Sequence, residues 1–185
     1  MFRRLFRPNH PAALDDDQLS GLAAANQLME NGRPGEAAPL LAGLAADLER
    51  PRPRRAANIH ARAAHAYADA GQEQPALAQA RSALSMFIQY NMTERTPVFY
   101  TNIRRKFSHK HMPAAAASLQ NEFHLQDLPP QAPAPAGALA PARPRAHLPG
   151  NCPKCGAPLR PGEVDWIDDR SAECSYCGSL VSAEK

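Results

Sequence analysis

Residues 25–44 read ANQLMENGRPGEAAPLLAGL, and residues 64–83 read AHAYADAGQEQPALAQARSA. Small or apolar residues and one glycine recur in both stretches at the same spacings, and the second set follows the first by 39 positions. Spacings of 3 and 4 place such residues on one face of a helix, and a left-handed glycine commonly ends one. Each stretch therefore predicts a helix, a tight turn and an antiparallel helix. The two sets are Ala25, Leu28, Gly32, Ala37, Leu41 and Leu44, and Ala64, Tyr67, Gly71, Ala76, Ala80 and Ala83.

The spacings of this internal repeat resemble those of the tetratricopeptide (TPR) repeat over roughly residues 18–90. The early Trp and the closing Pro of that family are absent, and the period is 39 instead of 34, with the additional length around residues 49–55. The resemblance implies a mainly α fold of antiparallel helical hairpins stacked as an α-solenoid. It also implies binding of a peptide or protein segment without chemistry. A helical bundle with alanines at tight crossings is the alternative.

A third, degenerate unit is predicted within residues 95–125, because two such repeats bury little surface. Pro97 and Pro113 each fit the first turn of a helix, and His111-Met112 stands where the turn glycine would be. The larger apolar residues of this stretch suit a helical cap that closes the end of the stack. They are Phe99, Tyr100, Ile103, Phe107, Leu119 and Phe123.

The composition divides the chain into segments. It has 185 residues with 36 alanines and 19 prolines, and alanine favours helix whereas proline breaks it. We expect a basic N-terminal arm at 1–14, a TPR-like helical domain at 15–125, a Pro/Ala-rich linker at 126–149 and a metal module at 150–185. The linker holds seven prolines and seven alanines, so we expect it to be extended and the two domains to have no fixed relative orientation.

Two matching CxxCG motifs, called here the first and the second knuckle, lie near the C-terminus. They are Cys152-Pro153-Lys154-Cys155-Gly156 and Cys174-Ser175-Tyr176-Cys177-Gly178. Two CxxC pairs at this separation predict a structural four-cysteine metal site with Cys152, Cys155, Cys174 and Cys177 as ligands. Between the motifs, residues 162–166 alternate as a strand does. Leu159, Leu180 and Val181 are candidates for the small core of this module.

The C-terminal module is similar to the zinc ribbon family over roughly residues 150–183. One structural Zn²⁺ is the expected cofactor, and iron in a rubredoxin-like site is the alternative. A redox or disulfide role is the weakest interpretation, because neither CxxC motif opens a helix in a βαβ unit. Four cysteines fill the coordination sphere, so the metal is expected to be structural and not catalytic. Cysteines that bind metal also suggest a reducing, cytoplasmic location.

Charge is distributed unevenly about a formal net charge of +3. Residues 1–125 carry a balance of +4, whereas residues 150–185 carry −2 before any thiolate is counted. An acidic metal module argues against nucleic-acid binding by the ribbon, which nonetheless stays the alternative function. The densest basic cluster is the candidate partner-binding site: Arg104, Arg105, Lys106 and Lys110.

Other features of the sequence carry less weight. The basic arm places Phe2, Leu5 and Phe6 on one face of a short helix, a weak candidate for contact with a membrane surface or a partner. No secretory signal and no apolar run of transmembrane length is predicted. The acidic cluster Asp15, Asp16 and Asp17 is expected to cap the first helix. His60 and His65 are poor metal ligands, because they do not share a helix face.

No catalytic motif or acid–base pair is evident in the sequence. The sequence therefore predicts a non-enzymatic adaptor that binds a protein or peptide.

Overall fold

The computed structural model describes residues 14–93, 95–123, 147–160, 164–166, 170–177 and 179–182. Within them the chain forms six helices followed by three short strands, so the fold is mainly helical as predicted. None of these helices combines the length and apolarity that crossing a membrane requires. The helices are α1 (Asp16–Glu30), α2 (Pro34–Leu48), α3 (Pro53–Asp69), α4 (Glu73–Gln89), α5 (Arg95–His109) and α6 (Pro113–Phe123). The strands are β1 (Asp165–Trp166), β2 (Ser171–Glu173) and β3 (Leu180–Ser182).

Several predictions concern residues outside the described part of the chain. These are the basic arm up to residue 13, the linker from 126 to 146, the first half of the predicted strand (Gly162 and Glu163), and the knuckle glycine Gly178. They stay predictions. Leu14, the last residue assigned to the arm, is described and buried.

The acidic cluster before α1 caps that helix, as expected. The Asp15 carboxylate accepts a hydrogen bond from the Gln18 backbone N–H at 2.8 Å, and the Gln18 side chain accepts one from the Asp15 N–H at 3.3 Å. This reciprocal capping box satisfies two N–H groups that lack a partner within the helix. Asp16 and Asp17 occupy the first turn, where negative charge interacts favourably with the helix dipole.

The first helices of the three hairpins end in the same way. Gly32 and Gly71 have φ of 71° and 76°, and His111 has φ of 57° at the equivalent place after α5. At each end the next residue donates its N–H to a carbonyl five residues earlier, for example Gln72 to Tyr67 at 2.9 Å. This is the Schellman arrangement, which satisfies carbonyls at the helix end. The end of α4 repeats it with Asn91 (φ 54°), a position the sequence pattern did not indicate.

Short turns bring consecutive helices side by side, and α3 also contacts α5 while α4 contacts α6. Alanine lines these contacts because its small side chain lets helix backbones approach closely. All six alanines of the repeat sets are fully buried: Ala25, Ala37, Ala64, Ala76, Ala80 and Ala83. Pro113 opens α6 and Pro97 lies in the first turn of α5, as the sequence predicted, and Pro34 opens α2 in the same way.

The C-terminal module is a small antiparallel sheet in the order β1-β2-β3. Trp166 pairs with Ala172, and Ala172 pairs with Val181. Leu159 and Val181 are buried as predicted, but Leu180 is 60% exposed, so its assignment to the core is wrong. Successive side chains of a strand point to opposite faces, and Val181 takes the inward one.

The expectation that the two domains have no fixed orientation is also wrong. The cysteine module, residues 147–182 as far as they are described, lies against α1, α3 and α5. Its buried residues belong to the same apolar cluster as the helical core. The composition of a linker carries no information about the surfaces at its two ends, and here those surfaces are complementary.

Candidate metal centre

Four cysteine side chains converge in the C-terminal module. The Sγ atoms of Cys152, Cys155, Cys174 and Cys177 all lie within 4.8 Å of one another, and all four residues are buried. Each cysteine of the first knuckle faces one of the second: Cys152 Sγ is 3.7 Å from Cys177 Sγ, and Cys155 Sγ is 3.9 Å from Cys174 Sγ. All four are free thiols, so disulfides do not hold the knuckles together.

The spacing of the sulfurs fits a tetrahedral metal ion. With metal–sulfur bonds of about 2.3 Å, the edge of a tetrahedron of sulfur ligands is about 3.8 Å. The two inter-knuckle distances lie on either side of that value. The predicted ligand set is therefore brought together in a geometry that can hold one metal ion.

The crowding of the sulfurs perturbs their ionisation in opposite directions. Hydrogen bonding with Cys152 raises the pKa of Cys155 and of Cys174, and burial acts in the same direction. Hydrogen bonds from Cys152 and its neighbours lower the pKa of Cys177, and Cys155 helps to lower the pKa of Cys152 to about 7. A divalent cation supplies the positive charge that lets all four thiols ionise together.

The first knuckle lies directly against α1. Asn26, which is 1% exposed, donates a side-chain hydrogen bond to the Cys155 carbonyl. Gly156 follows with φ of 70°, and a Cβ at that position would lie 3.2 Å from the Asn26 Cβ. Glycine is thus favoured at 156 both by its backbone conformation and by the close approach of the helix.

The second knuckle is bound through its backbone carbonyls by α3. Arg55 Nη1 donates to the Cys174 carbonyl at 3.3 Å, and Asn58 Nδ2 donates to the Ser175 carbonyl at 2.9 Å. The Arg55 guanidinium also forms an ion pair with Glu173. Arg55 and Asn58 are 5% and 7% exposed, so these contacts are removed from solvent and are worth more than surface pairs.

A second arginine, from α5, completes this contact. Arg95 donates to the Ser175 hydroxyl at 2.9 Å and to the Asn58 side-chain oxygen at 2.6 Å. Arg62 lies 5.4 Å from the centroid of the Tyr176 ring, within range of a cation–π interaction. Four thiolates and one divalent ion carry a charge of −2, so arginines beside the second knuckle offset the charge of an occupied site.

The interface residues Asn26, Arg55, Asn58 and Arg95 were not among the predicted sites. One signal was available: Asn26, Arg55 and Asn58 are polar residues on the inward faces of alanine-rich helices. A polar group in such a position must find a hydrogen-bond partner when it is buried. The sequence did not show that this partner belongs to the cysteine module.

The predicted partner-binding residues occupy α5 and the turn after it. Lys106 and Lys110 both pair with Asp69 of α3, at 2.6 and 3.7 Å. The Arg104 guanidinium lies 5.3 Å from the Tyr100 ring centroid, and Arg105 is exposed. Arg104, Arg105 and Lys106 lie on α5 and Lys110 follows it, but only part of the cluster extends into solvent.

Neither histidine of α3 approaches the cysteines as a ligand. His60 lies between Gln79 and Glu49, at 2.6 and 3.1 Å. His65 packs edge-on against Phe99 with 5.5 Å between ring centroids. Burial, and then the nearby charge of Lys106, lower the pKa of His65 to about 4, so it is neutral at pH 7.

No protein-family model matches the chain, and neither the curated proteins nor the solved structures contain a significant match to it.

Proposed function

We propose that this chain is a non-enzymatic protein-interaction adaptor in which TPR-like helical hairpins and a structural zinc ribbon present one composite binding surface. The main support for this proposal is the pair of hydrogen bonds that Arg55 and Asn58 donate to the carbonyls of the second knuckle. These bonds support a ribbon that acts as a fixed part of the surface. The stack of hairpins, with its repeated left-handed helix ends, supports the TPR-like arrangement.

Zinc is the proposed occupant because a buried set of four cysteines with tetrahedral spacing suits a closed structural site. Such a site offers no open position to a substrate, which supports a role without chemistry at the metal. Iron also binds four cysteines, so the metal has to be identified directly. Elemental analysis of protein purified without added metal should give one zinc per chain and a colourless solution. Red protein containing iron would contradict the assignment.

The adaptor role is tested by affinity capture with the full-length, metal-loaded chain after nuclease treatment. We expect a specific protein to be retained and later to bind the purified chain directly. Charge reversal at Arg104 and Arg105 should weaken this retention if the basic cluster on α5 contributes. The matched variant Arg50→Glu, which reverses an exposed charge between α2 and α3, should not. Retention of nucleic acid alone, in samples without nuclease, would overturn the adaptor role in favour of nucleic-acid binding.

A further inference from the structure

The backbone carbonyls of the four cysteines accept hydrogen bonds from two different parts of the molecule. The Cys152 carbonyl accepts one within the first knuckle, from the Gly156 N–H at 2.8 Å. The other three accept theirs from the helical part of the chain, residues 14–123 as far as they are described: Cys155, Cys174 and Cys177. The helical part therefore contacts the main chain of three of the four predicted metal ligands.

The first knuckle is held by α1 at two points. Asn26 donates to the carbonyl of Cys155 and is almost completely buried. Asn151, one residue before the knuckle, donates its side-chain amide to Glu30 Oε1 at 3.0 Å. Asn26 and Glu30 are four residues apart, so both contacts come from one face of the helix. Together with the close approach of Gly156 to Asn26, they fix the knuckle against that face.

The second knuckle receives three donors from the helical part. Two are the side chains of α3 described above, which bond the carbonyls of Cys174 and Ser175. The third is the backbone N–H of Leu14, which donates to the Cys177 carbonyl at 3.1 Å. These bonds restrain the backbone at both cysteines of the knuckle and at a residue between them.

Restraint of the knuckle backbone affects metal binding, because the ligands have to be ordered around the ion. Ordering a flexible backbone costs conformational entropy, which reduces the affinity of a site that forms only on binding. A backbone that is already held by hydrogen bonds avoids part of that cost. Partners that orient metal ligands commonly change metal affinity by about 10–100-fold. The donors on α1 and α3 are placed to have such an effect.

We propose that the helical part is a component of the metal site, in which Asn26 and Asn58 are positioning residues that raise the affinity of the four cysteines for a divalent metal ion. This inference goes beyond the adaptor role and does not depend on it. Coupling free energies are reciprocal, so the metal strengthens docking of the cysteine module by the same factor by which docking strengthens metal binding. Loss of the metal therefore weakens the contact with α1 and α3, and the interface responds to the availability of metal.

The test measures the Zn²⁺ affinity of the full-length chain by competition with a chromophoric chelator. Asn26→Ala and Asn58→Ala each remove a donor to one knuckle and leave the four cysteines in place. Each should weaken Zn²⁺ binding by about tenfold or more. The absorption bands of Co²⁺ bound in place of Zn²⁺ should keep their positions in both variants, because the sulfur ligands are the same. Unaltered Zn²⁺ affinity in both variants would overturn the proposal.

Two control variants separate positioning from a general loss of stability. Gln27→Ala removes an exposed amide next to Asn26 and should alter the affinity less than about twofold. Leu41→Val shortens a fully buried side chain of α2, so it should lower resistance to urea without removing a donor to the knuckles. Its Zn²⁺ affinity should be unchanged, because the chain stays folded during the titration, as circular dichroism verifies. An affinity loss for Leu41→Val equal to that of Asn26→Ala would contradict the positioning role.

Failure of this inference is distinguishable from failure of the proposals above. If the unaltered chain binds Zn²⁺ and both asparagine variants bind it equally well, the positioning role fails, whereas the metal site and the adaptor role remain. If the unaltered chain binds neither Zn²⁺ nor Co²⁺, the metal site itself fails and this inference with it. Capture of a partner protein decides only the adaptor role.

Discussion

At the scale of single residues, the molecule depends on a few buried polar side chains. Three of them donate hydrogen bonds to backbone carbonyls of the two knuckles: Arg55, Asn58 and Asn26. Each therefore holds the cysteine module in place without contacting a sulfur. The convergence of the four cysteines on one site was predictable, because the spacing within each CxxC motif is a local property of the sequence. The partners of these polar residues were not predictable, because they are more than a hundred positions away in the chain.

Arg55→Ala should destabilise the metal-loaded protein by about 2–3 kcal/mol, because the buried Cys174 carbonyl loses a donor and Glu173 loses its ion pair with Arg55. Urea unfolding in buffer with excess zinc measures the loss. Arg54→Ala is the matched control: its side chain is exposed and donates to the Tyr90 carbonyl at 3.2 Å. It should cost less than about 1 kcal/mol. Similar losses for both variants would contradict the role assigned to Arg55.

His65 should make stability depend on pH. Its folded-state pKa, about 4, lies below the ordinary value of 6.5. Between these values the unfolded chain binds more protons, so stability is complete above pH 6.5 and falls by about 3 kcal/mol as pH decreases to 4. Lys106, Arg62 and Arg160 oppose the charged form and Asp69 favours it.

The comparison of pH profiles for the unaltered chain and His65→Phe isolates this residue, because both proteins share the acid lability of the cysteines. The variant should lose less stability between pH 6.5 and 4 than the unaltered chain. Parallel profiles would show that His65 does not contribute.

At the scale of elements, α3 connects the two parts of the molecule. It contacts α2, α4 and α5, and it also binds the second knuckle. Caps and turns of the helices were predictable because they are local: Asp15 caps α1, and Gly32 and Gly71 end α1 and α3. Asn91 ends α4 with the same geometry as the glycines, a role in which asparagine is less diagnostic than glycine.

Two glycine substitutions separate backbone conformation from helix propensity. Gly71→Ala should destabilise the protein by about 1 kcal/mol, because alanine is strained at φ of 76°. Gly43→Ala, inside α2 with nothing within 4 Å of the added Cβ, should stabilise it by a similar amount, about 1 kcal/mol. Thermal denaturation followed by circular dichroism measures both. A stabilising effect of Gly71→Ala would contradict the left-handed backbone conformation assigned to this residue.

At the scale of the whole molecule, the helices and the cysteine module form one unit with a continuous apolar core. The sequence predicted both parts but treated them as independent, because a proline-rich linker says nothing about the surfaces at its two ends. Leu14, two residues before α1, is buried and donates its N–H to the Cys177 carbonyl at 3.1 Å, so the same contact extends beyond the start of that helix.

The most direct test of this unity is urea unfolding of the metal-loaded chain followed by two probes. Ellipticity at 222 nm reports the helices, and emission of Trp166 reports the cysteine module. We expect the two transitions to coincide, and both midpoints to fall when the metal is chelated, because a cooperative unit unfolds in one step. Loss of the Trp166 signal at lower urea, with an unchanged helical transition after chelation, would contradict the account.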